Sequence, residues 1–135
     1  MKKFLPILIL SFVLSISSQV LAAKVGGCAA LVAQTVCQGE PVTLRGTLVG
    51  MIAGEGLVFE SDNGEKISLC GLGPAWYWRK LGVQRPRLGD QIEIMGYRLE
   101  LQNGQKIVVA REIRLADGTL VTLRDQDCYP EWLKR

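Results

Sequence analysis

The stretch KISLCGLGPAWYWRKLG, residues 66–82, decides how this chain is read. Its first five residues alternate, with Ile67 and Leu69 on one face of a strand. Then the period changes. Gly73-Pro74 supplies a cap and a first helical position, because the missing proline N–H is no loss in the first turn. Ala75 to Leu81 follows, and Gly82 can take the left-handed stop. One helix of about two turns therefore interrupts an otherwise β-type chain.

Working back from this stretch, Asn63-Gly64 predicts a tight type I′ turn, in which both central residues need φ > 0. Leu57 to Ser61 is the second strand, with Phe59 inward and Val58, Glu60 and Asp62 outward. Ala53-Gly54-Glu55-Gly56 turns the chain. Before it, Val42, Leu44 and Leu48 alternate with Thr43, Arg45 and Thr47. Gly46 and Gly50 inside that first strand mark a bulge or sharp bend. Gly39-Glu40-Pro41 ends the preceding apolar segment, Ala29 to Val36, which reads as a short helix or a lead-in strand.

Working forward, Pro86 and Gly89 punctuate a loop, and alternation resumes from Asp90 to Tyr97 with Ile92 and Ile94 inward. Asn103-Gly104 turns into a fifth strand, Lys106 to Leu115. Asp117-Gly118 turns into a short extra strand, Leu120 to Leu123. A tail with Cys128 and Trp132 follows.

The order is β-β-β-α-β-β, the connectivity of the five-stranded oligonucleotide/oligosaccharide-binding barrel, or OB-fold. The expected fold is thus all-β with one short helix: an OB-fold-like barrel with an N-terminal extension and a C-terminal hairpin. Another small barrel or an open β-sandwich is the runner-up. The stretch from Val42 to Leu115 resembles an OB-fold domain of the kind found in exported bacterial proteins. The residues that carry the resemblance are the Gly89-Asp90 lead-in to the fourth strand, within Arg87 to Gly96, and the block Gly71 to Trp78. The block is similar to a segment of poorly characterised secreted bacterial OB-fold proteins. This implies a fold and no reaction.

Residues 1–23 read as a secretory signal: Lys2 and Lys3, an apolar run from Phe4 to Val13, then small residues up to Ala22 and Ala23. Residues 24–40 form a cysteine-bearing extension, and 41–135 the barrel with its tail. Removing the leader leaves 14 basic residues against 13 acidic ones, so the net charge falls from +3 to about +1. A nearly neutral surface gives little long-range pull on nucleic acid. About 112 remaining residues suit one domain. The product is expected in the periplasm or outside the cell, with no membrane span once the leader is gone. Lipoprotein anchoring at Cys28 is the minor alternative, opposed by the charge on Lys24.

Cys28, Cys37, Cys70 and Cys128 all follow the leader, and an even count in an exported chain predicts two disulfides. Cys28 and Cys37 are nine residues apart, about 13 Å as helix or 30 Å as strand. A disulfide needs Cα atoms within about 7 Å. Each is therefore expected to pair with Cys70 or Cys128, stapling both ends of the chain to the barrel. With no histidine and no Cys-x-x-Cys, neither a metal nor a cofactor is expected.

The candidate ligand-binding residues are Trp76, Tyr77, Trp78, Arg79, Lys80, Arg85 and Arg87. Successive aromatics on a helix point in different directions, so they cannot all enter one core. Either Trp76 or Tyr77 plugs the barrel while Trp78 packs on a neighbouring loop, or the cluster is a stacking platform flanked by cations. The usual OB face, strands two and three with the loops Ala53 to Gly56 and Leu101 to Gln105, carries carboxylates rather than aromatics and cations. With no histidine base, no nucleophile elbow and no phosphate loop, no enzyme is expected. The expected function is a non-catalytic exported binding or adaptor module for a protein, glycan or small molecule. An oligonucleotide-binding domain is the alternative.

Overall fold

A computed structural model of the chain describes residues 36–52, 56–101 and 104–134. The leader, most of the cysteine-bearing extension, Cys28 and the Ala53–Glu55 turn lie outside the described residues. The elements are β1 Glu40–Ile52, β2 Gly56–Ser61, β3 Lys66–Cys70, α1 Ala75–Leu81, β4 Gln91–Glu100, β5 Lys106–Leu115, β6 Leu120–Thr122 and a 3-10 turn Glu131–Leu133.

Four antiparallel pairings, β1–β2, β2–β3, β1–β4 and β4–β5, form most of a ring. The parallel pairing of β3 with β5, Ser68↔Ile107 to Cys70↔Val109, closes it. The result is a closed five-stranded barrel with the helix between β3 and β4, as the OB-fold order requires. The extra strand β6 pairs with β5 outside the ring.

A 13-residue strand can serve two neighbours only by bending. β1 pairs with β4 over Glu40–Thr47 and with β2 over Gly46–Ile52, so the handover falls at Gly46. A Cβ at Gly46 would stand 2.0 Å from the Glu60 carbonyl oxygen, a contact only glycine avoids. The bulge follows between Leu48 and Gly50. Gly96 does the same for β4, where a Cβ would meet the Val109 carbonyl oxygen at 2.1 Å and a bulge follows Met95.

Four local expectations need correction. Glu40 and Pro41 open β1 rather than closing the segment before it. Over that half the strand has one partner, β4, so proline can sit with its nitrogen off the ladder. β4 runs past Tyr97 to Glu100, because the bulge at Gly96 re-aims the strand and pairing continues to Glu100↔Lys106. β6 ends at Thr122 rather than Leu123. The turn at Asn63-Gly64 is not type I′. Among the described non-glycine residues only Cys128 has a positive φ, so Asn63 does not. Gly64 N–H donates to the Ser61 carbonyl and Ser61 N–H to the Glu65 carbonyl. This is a type I turn with its left-handed residue at Gly64, one residue longer than expected. The same bonds recur at Gly104 with Leu101 and Gln105, and at Gly118 with Leu115 and Thr119.

The described residues form two cores. Inside the barrel, Leu48, Phe59, Leu69, Ile94, Val108 and Ile113 pack with Trp78. Outside the wall, Val36, Cys70, Ile107, Val109 and Cys128 form a second cluster. β5 thus has apolar side chains on both faces, which is why Ile107-Val108-Val109-Ala110 is continuously apolar rather than alternating. Cys37 and Cys128 are disulfide-bonded, with Cα atoms 5.7 Å apart. Cys70 is disulfide-bonded as well. The bond at Cys128 fastens the end of the extension and the tail over the outer face of β5.

Candidate functional site

α1 starts at Ala75, with Pro74 extended in the cap position rather than helical. The helix closes where Gly82 turns left-handed, with Gly82 N–H donating to the Arg79 carbonyl and Val83 N–H to the Trp78 carbonyl. Seven residues give the helix one inward direction, and Trp78 occupies it. Trp78 is 1% exposed, and its indole N–H donates to the Leu72 carbonyl at 2.7 Å. It is the residue that fills the barrel end. The expectation of Trp76 or Tyr77 as the plug, and of Trp78 on a loop or in a binding platform, gives way to this burial.

Trp76 lies on the opposite side of the helix and is 47% exposed. Arg79 and Lys80 stand three and four residues on, so all three share the solvent face. No ion pair joins Arg79 or Lys80 to a carboxylate among the described residues. Tyr77 is half-buried on the flank. Its hydroxyl donates to the Thr122 carbonyl at 2.9 Å, and burial, then the Glu131 carboxylate, raise its pKa. The Trp76 and Tyr77 rings meet edge to face with centroids 6.3 Å apart, and Tyr77 meets Trp132 at 6.0 Å.

Two of the other cations are set apart from this face. Arg85 is half-buried and donates to the Gly73 carbonyl at 3.1 Å, which makes it a brace for the loop before the helix. Burial lowers its pKa. Arg87 is exposed, and its backbone N–H donates to the Asp90 carboxylate at 2.9 Å.

Sequence reasoning placed Trp132 in a tail and gave it no role. It covers Gly73, where a Cβ would lie 2.8 Å from its ring, and it stacks on the buried Arg124 guanidinium at 5.7 Å. Arg124 in turn donates to the Cys128 carbonyl at 2.9 Å. The tail therefore braces α1. The usable signal was Gly73, a glycine required by a neighbour far along the chain.

The outer sheet surface is different in kind. Glu93 on β4 is the direct cross-strand partner of Arg45 on β1 and of Arg114 on β5. Arg45 Nε donates to one carboxylate oxygen at 2.9 Å and Arg114 Nε to the other at 3.4 Å. The Arg45 hydrogen bond above all, with Arg114 helping, holds the Glu93 carboxyl below its ordinary pKa. These residues line a groove of about 340 Å³ in which opposite charges alternate, so it offers no net charge to a ligand. On β2 and β3, Val58 and Ser68 are half-buried, Glu60 carries a carboxylate, and Gln105 donates to the Ser68 hydroxyl at 3.2 Å. Phe59 is fully buried.

No helix among the described residues is long and apolar enough to cross a membrane. The disulfides are the chemistry of an oxidising compartment. Neither the curated proteins nor the solved structures contain a match to the chain. Residues 56–120, from the first residue of β2 to the first of β6, match the model of the MamS/MamX magnetosome protein family, and over those 65 of 135 residues the chain is similar to that family.

Proposed function

We propose that this chain is an exported, non-catalytic accessory module that works by contact in a magnetosome-type setting, with the outer face of α1 as its contact surface. The observation that carries this reading is the split between two indoles two residues apart. Trp78 is spent on the core, whereas Trp76 stays 47% exposed between Arg79 and Lys80. Exposed tryptophan beside unpaired cations is costly surface for a merely structural helix and is suited to a partner. Similarity to the MamS/MamX magnetosome family over residues 56–120 supports the setting, and the disulfides support export. In this reading residues 1–23 are removed, and the barrel with its tail acts.

An oligonucleotide would need aromatics and cations across β2 and β3, where this chain presents Val58, Glu60 and Ser68. The α1 reading is tested by placing a photo-crosslinking amino acid at position 76 in the native host. A discrete adduct from position 76, to a protein or to lipid, and none from the exposed Asn63 turn, is the expected result. Identical patterns from the two positions, or no adduct from either, would remove the reading.

A further inference from the structure

The charge around α1 is one-sided. Residues 67–89 contain Arg79, Lys80, Arg85 and Arg87 and no aspartate or glutamate. Of the carboxylates on neighbouring segments, Glu131 accepts from Lys134 at 3.0 Å and Asp90 from the Arg87 N–H. A nearly neutral protein thus carries a cluster of positive charge at the α1 end of the barrel. The same end exposes Trp76, Leu81 and Leu88, and Trp76 and Leu81, five residues apart on the helix, point in different directions rather than forming one apolar face.

From this combination we infer that the α1 end of the barrel seats on an anionic lipid bilayer, with Trp76 at the headgroup level and Arg79 and Lys80 against lipid phosphates. The inference rests on the contact-surface reading above and names its partner. Indole rings favour the membrane–water boundary, and clustered Lys and Arg are held at an anionic surface. An acidic protein would be matched by the charge as well. It would be held by shape, through a contiguous patch, whereas a bilayer accepts scattered apolar tips one by one. The seven-residue helix is too short to lie in the membrane alone, so the barrel delivers it as a rigid edge.

The test uses protein recovered from the periplasm with its disulfides intact. Co-sedimentation is measured with vesicles of phosphatidylglycerol and phosphatidylcholine, and with phosphatidylcholine alone. Binding to the anionic vesicles, loss of binding at high salt, and a blue shift of tryptophan emission that Trp76→Phe removes are expected. Each cation removed should weaken partitioning roughly fivefold, so Arg79→Ala with Lys80→Ala should lose roughly 25-fold. Lys106→Glu makes the same charge change on β5 and should bind as the parent does. All these side chains are exposed, and an unchanged thermal midpoint verifies that each variant is folded.

Equal binding to neutral vesicles, equal loss in Lys106→Glu, or no vesicle binding would overturn the inference. So would binding to poly-glutamate without binding to vesicles, which would assign the face to an acidic protein. If vesicles fail while position 76 still crosslinks to a protein in cells, the contact-surface reading survives and only the lipid is excluded. Failure of both experiments removes both.

Discussion

The Trp78 indole N–H reaches the Leu72 carbonyl at 2.7 Å, which ties the inward side of α1 to the strand-leaving segment six residues before it. The bond and the fully buried ring are two separate contributions to the same joint.

Trp78→Ala should therefore cost roughly 3–5 kcal/mol, the range for deleting a core aromatic. Trp78→Phe keeps most of the volume but orphans the Leu72 carbonyl, at about 1–3 kcal/mol. Trp76→Ala, on the solvent face, should stay within about 0.5 kcal/mol of the parent. Urea denaturation of the three variants checks the order; a Trp76→Ala as damaging as Trp78→Ala would contradict the assignment of faces.

At Gly46 the obstacle is backbone: the Glu60 carbonyl oxygen lies 2.0 Å from where an alanine methyl would stand, and backbone cannot swing aside. Gly46→Ala should separate β1 from β2 and unfold the barrel or lower its midpoint severely. Gly104 has open space around it and a φ of 86°, so Gly104→Val costs conformational strain only, about 1–3 kcal/mol. Comparing the two midpoints distinguishes close approach from strain.

Glu93 gives a pH prediction. Its folded pKa is lowered, chiefly by Arg45, so its ionised form is favoured in the folded state. That stability is present above the ordinary glutamate pKa of about 4.3 and disappears as pH falls through the lower folded value. The stability gap between the parent and Glu93→Gln should be widest near neutrality and should close under acid. Because the ladder is exposed, added salt should narrow it too. A gap that stays constant from neutral to acid pH would mean that the charge on Glu93 contributes no stability.

The Cys37–Cys128 bond closes 91 residues of chain, a loop whose removal costs about 4–5 kcal/mol in the chain-entropy view. Replacing both cysteines by serine should lower stability by that order and loosen the tail. Trp132 would then leave Tyr77, with loss of near-ultraviolet circular dichroism. An unchanged aromatic signal would show that Arg124 and Gly73 hold Trp132 without the disulfide.

The five barrel strands and the helix were legible because each is short, periodic and bounded by its own punctuation. Gly82 ended the helix where its residue type said it would. What escaped depended on distant partners. Pro41 is tolerated in β1 because of where β2 begins to pair, and nothing near Pro41 announces that. The turn type at Asn63 hinged on whether Asp62 belonged to the strand or the loop, a one-residue difference that an Asn-Gly pair does not resolve. The order of the aromatics depended on helix phase: with the start at Ala75, Trp78 faces inward and Trp76 outward. Trp132 was invisible as a brace, because its contacts on the α1 side, Gly73 and Tyr77, lie more than fifty residues away.

The double-sided burial of β5 sets a deadline for the newly made chain. The outward side chains of Ile107 and Val109 are covered by Val36 and Cys37 from before β1 and by Cys128 from after β6. Cys128 stands 19 residues after Val109, so this sticky run cannot be sheltered until the segment beyond β6 has been delivered and its thiols oxidised. During that interval the strand is an aggregation hazard. Expression without an oxidising route should accordingly yield inclusion bodies rather than a weakened but soluble barrel.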